Sequence, residues 1–592
     1  MKRRRPESNL LNTKQFQDEL QQLAIDHEQP LDQLQAEATT CLAEMRGDRN
    51  PMAVRGFAWL SRFMYRRGYN PDVIYDTAEL ERVRRESAGK SVVYLVTHKT
   101  YLDFFILFDF LYRQGIAPPF IFGGINMAFA GFGNLARHAG GIFIRRSFRH
   151  DLAYKLVLRH YIASLIRAGH SFMWAIEGTR SRTGKLVLPK LGLLKYVVDA
   201  SQSIGEKAID YVPVSVAYDQ IPDVLDMSRQ EAGSAKKPES LSWFIQYVRK
   251  TSGHFGNIYL RFGESLTADE TTHAPTFGHE IAADGPASDV RKLAFEVCYR
   301  INEVTPATSV SLTVMSLLCR GACSAAQIHD DILTLRHYLC ARQSSASFSN
   351  PSTVIQESGD RTLAMLLDGG IIEVKNSTRE NQYRIVPARY LVALYYSNMA
   401  AHHFVIPAFV ELGLLDLAHG RIEFTGAAMN RTMHRMRDLF KFEFFFARKE
   451  QFQQQLAGEL IYLGIASASL NTQSCQSALE LLTQQPLRVA DSVLSPYVHA
   501  YQLVADYLLL DAAHATENAA EFVDGCQKLG RQTKTLAQAH IAPRALLMNG
   551  HSLAANRGLL EQSPDAARRV NLFRTELDDL RRQLGTIRNM NT

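Results

Sequence analysis

Cysteine is scarce in this 592-residue chain, and the seven present are scattered at Cys41, Cys298, Cys319, Cys323, Cys340, Cys475 and Cys526. An odd number at irregular spacing excludes a disulfide framework and reads as reduced thiols in a cytosolic compartment. Cys319 and Cys323 form one close pair without a second, so no metal site is expected. A secretory leader is also missing: the basic start Met1-Lys2-Arg3-Arg4-Arg5 runs into Pro6-Glu7-Ser8-Asn9 rather than an apolar stretch. No clean membrane-spanning helix is expected either. Gln114 to Ala136 carries no charge, but Pro118, Pro119 and five glycines from Gly115 to Gly133 favour turns and close packing. Two nucleophile devices are absent as well. No Gly-x-Ser-x-Gly elbow occurs, and no cysteine lies between residues 42 and 297, so a covalent intermediate on either is not expected.

What is there is globular: 46% hydrophobic and 21% charged residues, with a length that points to two or three domains. The net charge of +6 is mild but uneven. From Arg137 to Lys195 twelve Lys or Arg face two acids, Asp151 and Glu177, which is +10 within 59 residues and leaves −4 for the rest. Such a concentration attracts anions: phosphates, phosphopantetheine carriers, acidic lipid or nucleic acid.

Patterning divides the chain into a helical N-terminal region over 1–75, an α/β domain over 76–305 and a mostly helical domain over 306–592. Short apolar runs recur at Val92–Thr97, Phe120–Gly123, Ile142–Ile144, Phe172–Ile176, Val212–Ala217 and Ile258–Phe262. They are apolar throughout rather than alternating, as strands buried on both faces require, so the spacing predicts a mostly parallel sheet covered by helices. Leu152–Ala168 and Leu191–Ser201 have helical length and period. Gly233–Ser240, Thr267–Asp289 and the Ser-rich Ser344–Ser352 read as loops or linker.

Chemistry concentrates where these strands end. His98 closes the first run, at the carboxyl edge where α/β sheets bind ligands. Asp103 lies five residues on. If a turn separates them and Asp103 opens the next helix, its carboxylate can fold back on the imidazole, fix its tautomer and support it as a general base. Gly140-Gly141-Ile142-Phe143-Ile144-Arg145-Arg146-Ser147 places two guanidinium groups after another strand, and such forks suit phosphate. A third run ends in Glu177-Gly178-Thr179-Arg180-Ser181-Arg182-Thr183-Gly184-Lys185, and a fourth reads Val212-Pro213-Val214-Ser215.

Read in order, these four segments resemble the acyltransferase blocks of the glycerol-3-phosphate and dihydroxyacetone-phosphate acyltransferase family, in its bacterial membrane-associated form. Phe262-Gly263-Glu264, Thr305-Pro306 to Leu312, and Tyr395-Tyr396-Ser397-Asn398 with His402 and Phe404 extend the likeness over roughly 90–405. The resemblance implies catalysis by His98 and Asp103. It implies substrate binding by Arg145, Arg146, Glu177, Gly178, Ser181 and Arg182, with Pro213 shaping the site or its acyl-donor side. The implied reaction moves a fatty acyl group from acyl-CoA or acyl carrier protein to the 1-hydroxyl of glycerol 3-phosphate. It needs no cofactor beyond the donor, and the enzyme would sit peripherally on the cytoplasmic side of the cell membrane.

Dihydroxyacetone phosphate and lysophosphatidate are the alternative acceptors. Ile144-Arg145-Arg146 favours a small one, and the ending Asn589-Met590-Asn591-Thr592 lacks a peroxisomal Ser-Lys-Leu-type address. Gly131-Phe132-Gly133-Asn134-Leu135-Ala136 with Asp151 matches a dinucleotide fingerprint, but no strand directly precedes it. The basic stretch and a helix-then-hairpin pattern over Ala364–Ile385 offer nucleic-acid binding as the non-enzyme reading. No nucleic-acid partner is expected, because the basic residues sit at strand ends without interleaved aromatics. Met433, Met436, Leu439, Phe440 and Phe444 beside Arg431, Arg435, Arg437 and Lys441 could form a membrane-facing stripe, though packing inward is the stronger expectation.

Overall fold

Every residue of Ser91–Val96 is buried, and its side chains divide between two cores: Val92, Tyr94 and Val96 enter one, Val93 and Leu95 the other. A strand so apolar needs cover on both faces. The computed structural model describes residues 10–125, 132–145, 147–148, 150–204, 209–234, 241–268, 286–343, 359–375, 380–465, 475–511, 518–532, 542–561 and 565–591. Within them β1 (Ile74–Tyr75), β2 (Ser91–Val96), β3 (Phe120–Gly124), β4 (Gly141–Ile144), β5 (Phe172–Ala175), β6 (Ile209–Tyr218) and β7 (Ile258–Phe262) form one sheet in the order β1-β7-β6-β2-β5-β3-β4. β6, β2, β5, β3 and β4 run parallel, whereas β7 pairs antiparallel with β6 and carries β1 on its outer edge. The sheet is mostly parallel, as the apolar runs predict.

The helices before and within this unit are α1 (Lys14–Asp26), α2 (Leu31–Met45), α3 (Pro51–Arg66), α4 (Thr77–Glu86), α5 (Leu102–Arg113), α6 (Phe132–His138), α7 (Leu152–Arg167), α8 (Leu191–Ser203), α9 (Val224–Glu231) and α10 (Leu241–Lys250). α3 and α5 cover one face. α1, α2, α7, α8 and the helix Pro286–Val304 cover the other. The N-terminal helices therefore roof the sheet on both sides rather than standing apart. β1 falls in the stretch expected to be helical throughout, and at two residues it is too short to show a strand pattern.

Within Gln114–Ala136 the described residues hold β3 and the first part of α6. Among the described residues one segment, Pro387–Ala418, is long and apolar enough to cross a membrane, and 78% of its most apolar window is buried inside the fold. The helix–hairpin pattern is real. Gly359–Asp368 precedes β9 (Ile372–Lys375) and β10 (Gln382–Ile385), which pair antiparallel, and β10 also pairs with β8 (Ala322–Ser324). Met433, Met436, Leu439, Phe440 and Phe444 are buried, so that stripe serves the core. The core under α3 and α5 continues into the C-terminal helices. Most of the expected loops at 233–240, 267–289 and 344–352 lie outside the described residues, as does Gly131.

Candidate active site

His98 leaves β2 in a tight turn, and α5 begins four residues later. Asp103 lies in the first turn of α5, fully buried, and its carboxylate folds back over that turn. Oδ2 accepts the Lys99 N–H at 2.7 Å and the Thr100 N–H at 3.0 Å, and lies 3.0 Å from His98 Nδ1. Oδ1 accepts the Tyr218 hydroxyl from the end of β6. Four donors converge on one carboxylate, an arrangement that fixes its direction and lets it orient an imidazole. His98 Nδ1 is thereby engaged. The side chain is 13% exposed, with its ring against Phe104 at 5.2 Å. Nε2 has no hydrogen-bond partner among the described residues.

The loop after β5 grips the same turn. Glu177 Oε1 accepts the His98 N–H at 2.7 Å, Oε2 accepts the Val187 N–H at 3.0 Å, and the Ser181 N–H donates to the His98 carbonyl at 2.7 Å. His98 is thus clamped at both its main-chain N–H and its C=O. Within the loop the Ser181 hydroxyl donates to the Lys185 carbonyl at 2.6 Å and accepts the Gly184 N–H at 3.1 Å. Two glycines are obligatory here. Gly178 has φ +66°, where a Cβ would meet Lys190, and Gly184 has φ +87°, where a Cβ would lie 1.9 Å from the Tyr395 carbonyl oxygen.

That second contact belongs to a brace from the C-terminal helices. The buried Lys185 ammonium donates to the Glu443 carbonyl at 3.0 Å and pairs with its carboxylate. Glu443 also accepts the Tyr501 hydroxyl and Asn549 Nδ2, each at 3.0 Å. Asn398 donates to the Thr183 carbonyl at 2.8 Å and accepts the Tyr497 hydroxyl at 3.0 Å. Buried charges and amides this well matched hold a loop in one conformation.

The first arginine of the expected anion cradle is engaged by acids. Arg145 does end β4, but Glu44 of α2 takes its guanidinium as a fork at 2.6–3.0 Å, and Asp151 holds Nη1 at 2.6 Å. β4 also lies three strands from β2, about 14 Å at ordinary strand spacing. Elsewhere the local positive excess is answered from outside the segment: Arg159 by Glu19, Arg180 by Asp223 and Lys185 by Glu443. Arg182 keeps only a long contact to an acid. It is 37% exposed and 3.9 Å from Glu231, on the loop that clamps His98. Arg146 lies outside the described residues.

Glu177 and Ser181, expected to contact substrate, are buried with their polar atoms spent on the backbone. Gly178 supplies the turn. Pro213 sits within β6 opposite Leu95, its ring against Gly263, below the level of His98. A single sequence does not show whether a strand-end carboxylate turns outward to a ligand or inward to main-chain amides.

Sequence reasoning passed over Tyr218, Tyr247, Lys185, Asn398 and Glu443. Tyr218 closes β6, just before Asp219. Tyr247, on α10, bonds the Thr100 hydroxyl at 2.6 Å and left no signal. Among the described residues no group of three or more His, Cys, Asp or Glu is placed to hold a metal.

Burial pushes Glu177 up to about 7, against its two amide donors and Lys99. A carboxyl raised from its ordinary 4.5 contributes most to stability below that value, and the contribution is lost as pH rises through 7. Stability should therefore fall from pH 5 to pH 8 by up to about 3 kcal/mol from this group. Glu177→Gln should flatten that slope in denaturant titrations at the two pH values. It should also lower kcat about 10–100-fold, because one clamping N–H would then face an amide NH2.

The family model for the glycerol-3-phosphate acyltransferase C-terminal region matches residues 227–562, and the acyltransferase model matches 76–217. The chain belongs to the glycerol-3-phosphate acyltransferase family. It is an acyltransferase, and its relatives agree. A putative acyltransferase, plsB1, of Mycobacterium tuberculosis is 31% identical over 600 residues, covering 98% of this chain and 93% of that one. The glycerol-3-phosphate acyltransferase of Haemophilus influenzae is 27% identical over 419 residues, 69% of this chain and 51% of that one. Among solved structures, the 1-acyl-sn-glycerophosphate acyltransferase PlsC of Thermotoga maritima aligns with a TM-score of 0.26 at 16% identity, covering 42% of this chain and 77% of that one.

Proposed function

We propose that this enzyme acylates the 1-hydroxyl of glycerol 3-phosphate, taking the acyl group from acyl-CoA or acyl carrier protein without a further cofactor. It does so peripherally attached at the cytoplasmic face of a membrane. The observation that carries the chemistry is the His98–Asp103 pair, with Nδ1 held at 3.0 Å and Nε2 left available. His98 Nε2 takes the hydroxyl proton as the acceptor oxygen attacks the thioester carbonyl. The carbon–sulfur bond breaks, and the imidazolium returns the proton to the departing thiolate. Asp103 stabilises that imidazolium throughout. Attack is direct, since the sequence has no Gly-x-Ser-x-Gly elbow and burial holds the Cys298 thiol, which senses the Glu177 charge, well above its ordinary pKa.

The acceptor phosphate is read by Arg182, whose Glu231 contact is long and replaceable. Arg182→Ala should raise KM for the phosphorylated acceptor about 10–100-fold with a smaller change in kcat, as loss of a charge-assisted contact implies. Arg145→Ala should instead lower the melting temperature, because it strands Glu44. If Arg145→Ala raises KM and Arg182→Ala does not, the phosphate belongs at β4. The acceptor itself is tested by acyl transfer to glycerol 3-phosphate, dihydroxyacetone phosphate and lysophosphatidate at equal concentration. Glycerol 3-phosphate should react fastest, and preference for either of the others would overturn this reading.

A further inference from the structure

α3 lies across the face of the sheet like a strap. At one end the Asp48 and Asn50 N–H groups bond the Arg137 and His138 carbonyls at 2.9 and 2.8 Å, beside β4. At the other the Phe255 N–H, just before β7, bonds the Gly68 carbonyl at 2.7 Å. Asn50 caps the helix through the Met52 N–H, and Pro51 occupies its first turn. The inner side buries Phe57, Ala58, Met64 and Tyr65. Phe57 stacks at 5.4 Å on Phe105, two residues from Asp103.

The outer side is unlike an ordinary solvated helix face. Met52, Trp59 and Phe63 are 82%, 67% and 43% exposed. Their spacings of seven and four residues place them within about 40° of one another around the axis. The Trp59 and Phe63 rings stack at 5.7 Å. Single exposed apolar residues need no explanation, but three on one helix face, two of them stacked rings, do. Arg55, Arg62 and Arg66 line one border of the stripe and Arg67 the other, and no acid occurs between Asp48 and Asp72. Arg62 reaches Asp109 at 3.5 Å, whereas Arg55 and Arg66 have no ion pair among the described residues.

We infer that the outer face of α3 docks the enzyme on an anionic phospholipid bilayer. Met52, Trp59 and Phe63 enter the boundary between headgroups and acyl chains, and the arginines pair with lipid phosphates. Charge decides between lipid and a second copy of the chain: two such faces brought together would oppose arginine to arginine.

The inference rests on the proposed membrane-surface enzyme, but vesicle binding needs no turnover, so docking and catalysis fail separately. The full chain would be sedimented with phosphatidylcholine vesicles with and without phosphatidylglycerol. Binding should require the anionic lipid and weaken with salt. Trp59→Ser with Phe63→Ser should reduce partitioning at least about 10-fold, and Arg55→Gln with Arg66→Gln should reduce it by a similar factor. Melting temperature and transfer from a water-soluble short-chain donor should stay unchanged in both. Parent-like binding by both double variants, or no binding by the parent, overturns the inference. So does a parent that self-associates without lipid and loses this in the variants.

Discussion

His98→Ala should lower kcat by about 10²–10⁴-fold, the span general-base groups supply, while melting temperature and far-ultraviolet circular dichroism match the parent. The fold should persist because Asp103 keeps three donors after the imidazole is gone: the Lys99 and Thr100 N–H groups and the Tyr218 hydroxyl. A buried carboxylate that retains its partners carries no unsatisfied charge. The clamp on the main chain also survives, since Glu177 and Ser181 hold residue 98 by its backbone and not its ring. Single-turnover measurements separate acyl transfer from product release. Activity within a few-fold of the parent would remove His98 from the chemistry.

The largest expected loss of stability is at the brace. Lys185→Ala should destabilise the protein by about 3–5 kcal/mol, because it leaves the Glu443 carboxylate buried without its cation. Tyr501 and Asn549 still donate to Glu443, but neither brings positive charge. Replacing both partners, Lys185→Met with Glu443→Leu, should recover most of that stability, since apolar side chains of similar volume need no compensation. Denaturant titrations of parent, single and double variants make the comparison. A single variant costing under about 1 kcal/mol would place the loop's support elsewhere.

What the sequence made legible follows from how far apart interacting partners lie along it. β2, β3, β4, β5 and β7 fall within one residue of the apolar runs, because a strand buried on both faces announces itself locally. β6 extends three residues before its run, from Ile209. The His98–Asp103 contact was also readable, being closed by one turn and the first turn of one helix. The ion pair of Arg145 was not legible because its carboxylate, Glu44, comes from α2, 101 residues upstream. Lys185 and Glu443 are separated by 258 residues, and no local pattern links them. Glu177 shows a subtler limit. Its position at a strand end was plain, yet its direction depends on two amides that only the folded loop presents.

The route by which C-terminal helices reach His98, through Lys185, Asn398 and the loop they hold, has a consequence for synthesis. A nascent polypeptide emerging from the ribosome would carry the imidazole and its carboxylate long before Glu443, Tyr501 and Asn549 were translated. Until those residues dock, the clamp on the histidine's main chain has only the loop's own hydrogen bonds to secure it. The clamp on His98 should therefore gain its full support only once the C-terminal helices have been made and docked.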